Sequence, residues 1–345
     1  MPAQPEAVTL IGEAPAFLAM LEHVSRAAPL AKPVLVIGER GTGKELIASR
    51  LHYLSERWEQ PLIKVNCAAL TESLLESELF GHEAGAFTGA TRTHIGRFEQ
   101  ANGGTLVLDE LGTIPLRMQE KILRVIEYGE FQRVGGSKTI RTDVRVVGVT
   151  NANLPALARR GQFRADLMDR LAFDVVHIPP LRARPEDIEP LAYHFAVNVT
   201  SELKRELFPG FTAAAKAALL GYSWPGNVRE LKNTVERSVY RAEDPAKPIE
   251  HILFDPFDSP YAPEPELVQP EERREAAPAD DAPPGEVPPD FRAAVAEYEV
   301  KLLRRALERA QFKQTVAARL LGLTYHQFRS LLRKHNLLKA TASEA

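Results

Sequence analysis

The chain lacks most of what stabilises small secreted, fibrous or membrane-spanning proteins. Its one cysteine, Cys67, excludes an intrachain disulfide and any zinc site built on cysteines, so stability has to come from apolar cores. No apolar run approaches the roughly 20 residues that cross a bilayer. The first nine residues carry no basic segment followed by an apolar one, and the expectation is a cytoplasmic protein with no direct membrane insertion. Bulk charge is missing too: 43 Lys and Arg meet 46 Asp and Glu, for a formal net charge of −3. A uniformly basic nucleic-acid binder is thereby excluded. What is present, 345 residues of which 44% are hydrophobic, leaves room for two or three domains.

The near-neutral total conceals opposed segments. Residues 255–290 hold 10 of the 26 prolines and 11 acidic residues against two basic ones, Arg273 and Arg274. Such a stretch buries no core and reads as a disordered, semi-extended linker. Residues 291–345 carry 11 Lys and Arg against four Glu. The expected division is a tail at 1–7, an α/β domain at 8–176, a helical domain at 177–250, a linker at 251–290 and a basic module at 291–345.

Within the body, Val34-Leu35-Val36-Ile37, Leu62-Ile63-Lys64-Val65, Thr105-Leu106-Val107-Leu108 and Val144-Arg145-Val146-Val147-Gly148-Val149 read as strands. Three of them are apolar enough to be covered on both faces, the pattern of a parallel sheet wrapped by helices. From about Leu181 helical periodicity takes over, as in residues 213–220 and 228–240, and a small all-α domain is expected there.

Gly38-Glu39-Arg40-Gly41-Thr42-Gly43-Lys44 follows the first strand and opens a helix. The glycines let backbone N–H groups curl around a polyphosphate, the helix N-terminus adds positive potential, and Lys44 reaches the outer phosphates. Glu45 stands where most such loops place a Ser or Thr that binds Mg²⁺, so the metal contact must come from elsewhere. The apolar strand ending in Asp109-Glu110 supplies it: Asp109 would hold Mg²⁺, directly or through water, and Glu110 would polarise the attacking water. A strand ending in two carboxylates is weak alone and strong when paired with a P-loop. Together the motifs imply an ATPase with ATP and Mg²⁺ as cofactors.

Here the body resembles the AAA+ domain of the bacterial enhancer-binding proteins, the activators of sigma-54 RNA polymerase, from about Val8 to Asp244. The hexapeptide Gly85-Ala86-Phe87-Thr88-Gly89-Ala90, preceded by Glu78-Leu79-Phe80-Gly81-His82-Glu83, matches the insertion with which that family touches sigma-54. Physically it is a loop tip with small residues around one aromatic and one hydroxyl, suited to a moving contact surface. The resemblance implies further roles position by position. Asn66 matches the residue that restrains the glutamate Glu110. Thr150 and Asn151 match the first sensor of the γ-phosphate. Arg164 and Arg170 lie in a segment similar to the arginine fingers, which reach the ATP of a neighbouring subunit and are worth about 10³–10⁵ in rate in well-studied NTPases. Arg229, in Trp224-Pro225-Gly226-Asn227-Val228-Arg229-Glu230-Leu231, matches the second sensor. Arg133-Val134-Gly135-Gly136 resembles a second family loop near the first.

In the basic module, Tyr298, Leu302, Leu303, Ala306, Leu307 and Ala310 fall on one helical face, and Val316, Ala317, Leu320 and Leu321 on a second. Gly322 breaks the second helix and Thr324 caps a third, a helix-turn-helix pattern. Phe328, Leu331 and Leu332 are expected to face inward. Thr324, Tyr325, His326, Gln327, Arg329, Ser330, Arg333 and Lys334 are the expected DNA-binding set. A three-helix protein-interaction module would show the same periodicity, but the local basic excess and the likeness to the Fis-type module of the same family favour DNA.

The reading that follows is a transcription activator that binds enhancer DNA and uses ATP to remodel the closed complex of the sigma-54 RNA polymerase holoenzyme. The family implies a homo-oligomer, a hexameric ring, since a finger must act in trans. A DNA-remodelling ATPase of the helicase-loader or branch-migration type would have no use for the hexapeptide. A repressor with a vestigial ATPase body would have no use for intact Lys44, Asp109, Glu110, Arg164 and Arg170. Most relatives place a sensing domain before the ATPase body, whereas about eight residues precede the match here, so control from outside the chain is expected, and the segment 322–329 resembles the phage-shock branch of the family. That branch implies external control of the psp genes by a PspA-like peripheral membrane inhibitor protein, with Trp58 as a candidate contact. Trp58 packed over the end of the P-loop helix is the equally available alternative.

Overall fold

The computed structural model describes residues 10–257, 291–310, 314–323, 325–335 and 337. The expected tail and most of the expected linker lie outside these residues. The chain divides into two compact units, 1–259 and 260–345.

The first unit is built on a five-stranded parallel sheet: β1 (Val34–Ile37), β2 (Leu62–Asn66), β3 (Thr105–Asp109), β6 (Arg145–Thr150) and β7 (Asp174–His177), in the order β2-β3-β6-β1-β7. Two short strands, β4 (Glu130–Gln132) and β5 (Thr139–Arg141), form a separate hairpin. The helices of this part are α1 (Pro15–Ala27), α2 (Lys44–Tyr53), α3 (Glu72–Phe80), α4 (Arg97–Gln100), α5 (Leu116–Tyr128), α6 (Leu154–Arg159) and α7 (Ala165–Leu171). Strand residues alternate between two cores. Leu35, Leu106, Leu108 and Val146 join the α3, α5 and α7 side, whereas Val34, Val36, Val107, Val147 and Val149 join the α1 and α2 side. β6 is buried at every position, while β2, at the sheet edge, is buried only at Val65. The four strands expected from apolar runs are present. The sequence reading missed β7 and the β4–β5 hairpin, which add one edge strand and one projecting ribbon.

α8 (Ile188–Glu202), α9 (Ala213–Gly221) and α10 (Asn227–Tyr240) make the helical part of the same unit. Its core gathers Leu191, Leu219, Leu231 and Val235 around Trp224, which is fully buried and donates its indole N–H to the Leu219 carbonyl at 2.9 Å. This packing runs past the expected boundary at residue 250. Ile252 and Phe254 lie against the helical core, the Phe254 ring stacks on Tyr222 with centroids 4.4 Å apart, and Arg237 donates to the Leu253 carbonyl at 2.9 Å.

One buried cation ties the layers together. Arg145, at the start of β6, is 1% exposed and donates to the carbonyls of Ala28 (2.6 Å), Ala27 (3.0 Å), Lys32 and Leu51 (both 3.3 Å). It therefore caps the C-terminal ends of α1 and α2, where carbonyls lack helical partners. Burial pulls its pKa down to about 10.

The second unit comprises α11 (Phe291–Arg309), α12 (Gln314–Leu320) and α13 (Tyr325–Lys334) around Leu303, Ala306, Leu307, Ala310, Ala317, Phe328 and Leu332. Gly322, with φ of +66°, makes the turn between α12 and α13. The inward assignment of Phe328 and Leu332 holds. Tyr298 (63% exposed) and Leu302 on the 19-residue α11, and Val316 on α12, are exposed, because so small a unit has too little partner surface to cover every apolar side chain.

Candidate functional site

The P-loop leaves β1 at Gly38, whose N–H donates to the Thr150 carbonyl at 3.2 Å. Gly41 (φ +76°) and Gly43 (φ +94°) take left-handed backbone conformations that other side chains resist. Gly43 is the N-cap of α2, so the free N–H groups of the first helical turn open onto the loop. Lys44 is 9% exposed and its ammonium donates to the Glu39 carbonyl at 3.0 Å. Burial lowers its pKa, and the charges of Glu110 and Asp109 oppose that shift. The Thr42 hydroxyl donates to the same Glu39 carbonyl at 2.9 Å.

A cavity of about 420 Å³ is lined by Arg40, Gly41, Gly43, Lys44, Glu45, Leu46, Asp109, Glu110 and Arg229. It unites the loop, the end of β3 and the start of α10, three pieces far apart in the chain. Asp109 Oδ1 accepts the N–H of Glu110 at 2.9 Å, and Glu110 has a φ of +53°, a left-handed conformation that turns the chain sharply after the strand. Glu45 is exposed at the rim of this cavity and is paired with Lys64 at 2.9 Å.

The other expected residues lie around this cavity or apart from it. Asn66 stands beside Asp109 in the sheet register, and its Oδ1 accepts from Ala68 N at 3.0 Å; among the described residues no hydrogen bond joins it to Glu110. Thr150 is fully buried and its hydroxyl accepts from Ala152 N at 3.0 Å. Asn151 lines a different, more apolar cavity of about 490 Å³ beneath α6 and α7. Arg164 is engaged by Asp166 at 2.6 Å and Arg170 by Glu127, and neither lines the Lys44 cavity.

The helical part contributes residues that sequence reasoning passed over. Arg182 holds the Glu39 carboxylate, with Nη1 at 2.8 Å from Oε2, and Asn227 Nδ2 donates to the same oxygen at 3.1 Å. These two contacts, Arg182 first, hold the Glu39 carboxyl down at about 2. Arg184 and Asp187 form a fully buried pair at 3.6 Å, and Asp187 Oδ1 accepts the N–H groups of Glu13 (2.6 Å) and Ala14 (2.8 Å). The only sequence signal was the acidic or amide side chain at a turn, which is common to many loops.

The hexapeptide forms a loop closed on itself, with Gly85 N donating to the Ala90 carbonyl at 2.7 Å. Phe87 is 46% exposed, with its ring edge-on to His82 at 4.9 Å between centroids; Thr88 is exposed. At the neck, His82 and His94 exchange backbone hydrogen bonds of 3.1 and 2.8 Å. Gly96 fits there only as glycine, since a Cβ would stand 2.3 Å from Gly81 N. The second loop packs directly against the first: Glu83 N donates to the Val134 carbonyl at 3.1 Å, and Arg133 bridges Glu83 and Glu99 at 2.9 Å each. Glu99 and Glu83 raise the Arg133 pKa.

In the second unit, Tyr325, Gln327, Arg329, Ser330, Arg333 and Lys334 are exposed on α13. Thr324 and the side chain of His326 lie outside the described residues. Glu299 of α11 takes Lys334 at 2.8 Å and His335 Nε2 at 2.7 Å, which fixes the end of α13 against α11.

Residues 10–178 match the Sigma-54 interaction domain family, residues 182–255 the AAA+ ATPase lid domain family, and residues 294–335 the family of bacterial regulatory proteins of the Fis type. The Psp operon transcriptional activator of Escherichia coli (strain K12) is 57% identical over 328 residues, which covers 95% of this chain and 98% of that protein. The chain belongs to the sigma-54 activator family. The Nif-specific regulatory protein of Azospirillum brasilense is 52% identical over 230 residues, 67% of this chain but 36% of that larger relative. Among solved structures, NtrX from Brucella abortus in complex with ATP superposes with a TM-score of 0.66 at 31% identity, over 95% of this chain and 70% of that one. As a sigma-54 activator, the protein is an enhancer-binding, nucleotide-binding ATPase, with sigma-54 and DNA as partners. Among the described residues no helix is long and apolar enough to cross a membrane.

Proposed function

We propose that this activator hydrolyses ATP in the Lys44 cavity and uses the cycle to drive the Gly85–Ala90 loop against sigma-54, opening closed promoter complexes. The observation that carries the reading is the convergence of Lys44, Asp109, Glu110 and Arg229 on one cavity. Gly38 to Lys44 cradle the phosphates and Arg229 meets them from the helical side. The donor set fits Mg²⁺, because Asp109 offers a hard carboxylate oxygen beside the phosphate-binding ammonium, its other oxygen already oriented by the Glu110 N–H. Mg²⁺ held by Asp109 would neutralise charge on the phosphates. Glu110 orients the attacking water, Asn66 restrains it from the neighbouring strand, and Thr150 and Asn151 report the γ-phosphate to α6 and α7. Arg164 and Arg170, being outside their own cavity, act on the nucleotide of an adjacent subunit in a homo-oligomer, a hexameric ring. Each must first leave its carboxylate, and such exposed contacts are worth little.

The exposed residues of α13 read enhancer DNA. Likeness to the Psp operon activator extends the reading to phage-shock genes in the cytoplasm and to a PspA-like inhibitor. Trp58, 57% exposed and a few residues after the exposed Tyr53 and Leu54 in the chain, offers that partner an apolar side chain.

The test sets hydrolysis beside promoter opening. Lys44→Ala should lose both, whereas Thr88→Ala should keep hydrolysis and lose opening with sigma-54 polymerase. Normal opening by Thr88→Ala would show the loop assignment to be wrong.

A further inference from the structure

Asn227 is the first residue of α10, and it is fully buried with a φ of +53°. Asparagine tolerates that left-handed conformation better than most residues, but it is still a cost that the surroundings must offset. The offset is an amide used at both ends. Its Oδ1 accepts the Leu181 N–H at 2.8 Å, and its Nδ2 donates to the Arg40 carbonyl at 3.0 Å and to Glu39 Oε2 at 3.1 Å. One side chain thus joins the P-loop, the entry to the helical part and the turn that precedes α10. Two residues on, the Arg229 N–H donates to the Gly41 carbonyl at 3.3 Å. The contact is close enough that a Cβ on Gly41 would lie 2.2 Å from the Gly226 carbonyl oxygen.

We propose that Asn227 is a positioning residue for ATP hydrolysis, gripping the P-loop backbone so that the curl of Gly41 to Gly43 and the reach of Arg229 are set by one contact. The inference rests on the reading of Arg229 as the group that meets the phosphates. Aspartate could not serve at 227, because it has no donor for the Arg40 carbonyl and would set a second carboxylate against Glu39. Alanine would leave the Arg40 carbonyl and the Leu181 N–H without their partner in a buried place. A misplacement of about 1 Å in a group that positions charge can cost on the order of 10² in rate.

The full chain is assayed for ATPase kcat and KM as wild type, Asn227→Gly, Asn227→Asp, Arg229→Ala and the Asn227→Gly/Arg229→Ala double variant. Glycine is chosen because it keeps the left-handed backbone while removing the amide, and thermal unfolding followed through buried Trp224 checks that each variant is folded. Asn227→Gly is expected to lose about 10- to 100-fold in kcat/KM. The double variant should lose less than the product of the two single losses, since part of what Asn227 does is to set the reach of Arg229. Adding Glu39→Gln to Asn227→Asp should recover part of the loss, as the amide so introduced can donate to the new carboxylate, a rescue that a merely structural role would not give. Wild-type kinetics in Asn227→Gly with an impaired Arg229→Ala, or losses that multiply in the double variant, would overturn the inference alone. Normal hydrolysis by Arg229→Ala would overturn the reading of Arg229 and the inference with it.

Discussion

Replacing Arg145 by methionine keeps an unbranched side chain of similar length and removes the guanidinium. Four carbonyls then lose the guanidinium at a site 1% exposed to solvent: those of Ala28, Lys32 and Leu51, and that of Ala27, which keeps the Leu30 N–H at 3.3 Å. A buried acceptor left without a partner costs about 1–3 kcal/mol. Carbonyls at helix ends recover part of that through water, and the charged group no longer has to be buried. The net loss expected is about 3 kcal/mol, near the lower end of the range for breaking a buried charge network. For a unit of roughly 250 residues this lowers Tm by about 6–12 °C. Both tryptophans, Trp58 and Trp224, lie in the first unit, so their fluorescence follows the unfolding of that unit without interference from the basic module. Arg145→Lys should fall between the two, because an ammonium has three donors on one atom and cannot span carbonyls on two helices as a planar fork does. A Tm drop of less than about 2 °C in Arg145→Met would refute the reasoning, showing that the carbonyls are satisfied without the cation.

Two further outcomes follow from local geometry. His52 is buried, its Nδ1 lies 2.9 Å from the Thr105 hydroxyl, and burial lowers its pKa below 6.5. The unfolded chain therefore binds a proton that the folded chain refuses, so stability is full above pH 6.5 and falls as the pH drops through the folded value; His52→Asn should flatten the Tm profile between about pH 7 and 5, and an unchanged slope would refute it. Gly96→Ala places a methyl group 2.3 Å from Gly81 N and 2.4 Å from the Phe80 carbonyl carbon, so the neck of the Gly85–Ala90 loop must shift; on the role proposed for that loop, promoter opening should fall at least ten-fold while ATPase activity stays within about three-fold of wild type, and normal opening would show the neck to be pliable.

Contiguous features were legible and assembled ones were not. The P-loop, the carboxylates at the end of β3 and the hexapeptide each occupy one short stretch; the chemistry of the first two follows from residue type and spacing, and the third was legible through its likeness to the family. β1, β3 and β6 announced themselves because burial on both faces demands unbroken apolar runs. β7 escaped because Asp174 and His177 end a run with only Val175 and Val176 inside it. Each strand of the β4–β5 hairpin carries a single apolar side chain, Phe131 or Ile140, too little for an alternating pattern. Tyr298 and Leu302 share a helical face with the buried Leu303 and Ala306 yet are exposed, because periodicity identifies a face without saying how much partner surface exists to cover it. The grip of Arg182 and Asn227 on Glu39 joins positions 143 and 188 residues apart, and no local pattern encodes such a meeting.

The crossing of Gly81 and Gly96 under the Gly85–Ala90 loop has a mechanical consequence. Two glycine backbones in contact, flanked by the reciprocal His82 and His94 bonds and braced by Val134 and Arg133, leave little compliance at the base. A stiff base cannot absorb motion, so on the role proposed for the loop a small tilt of α3 or α4 would be geared up along its length and delivered at Phe87. The stroke would then be set by how far those helices turn and the grip by the aromatic tip, and different substitutions would tune the two.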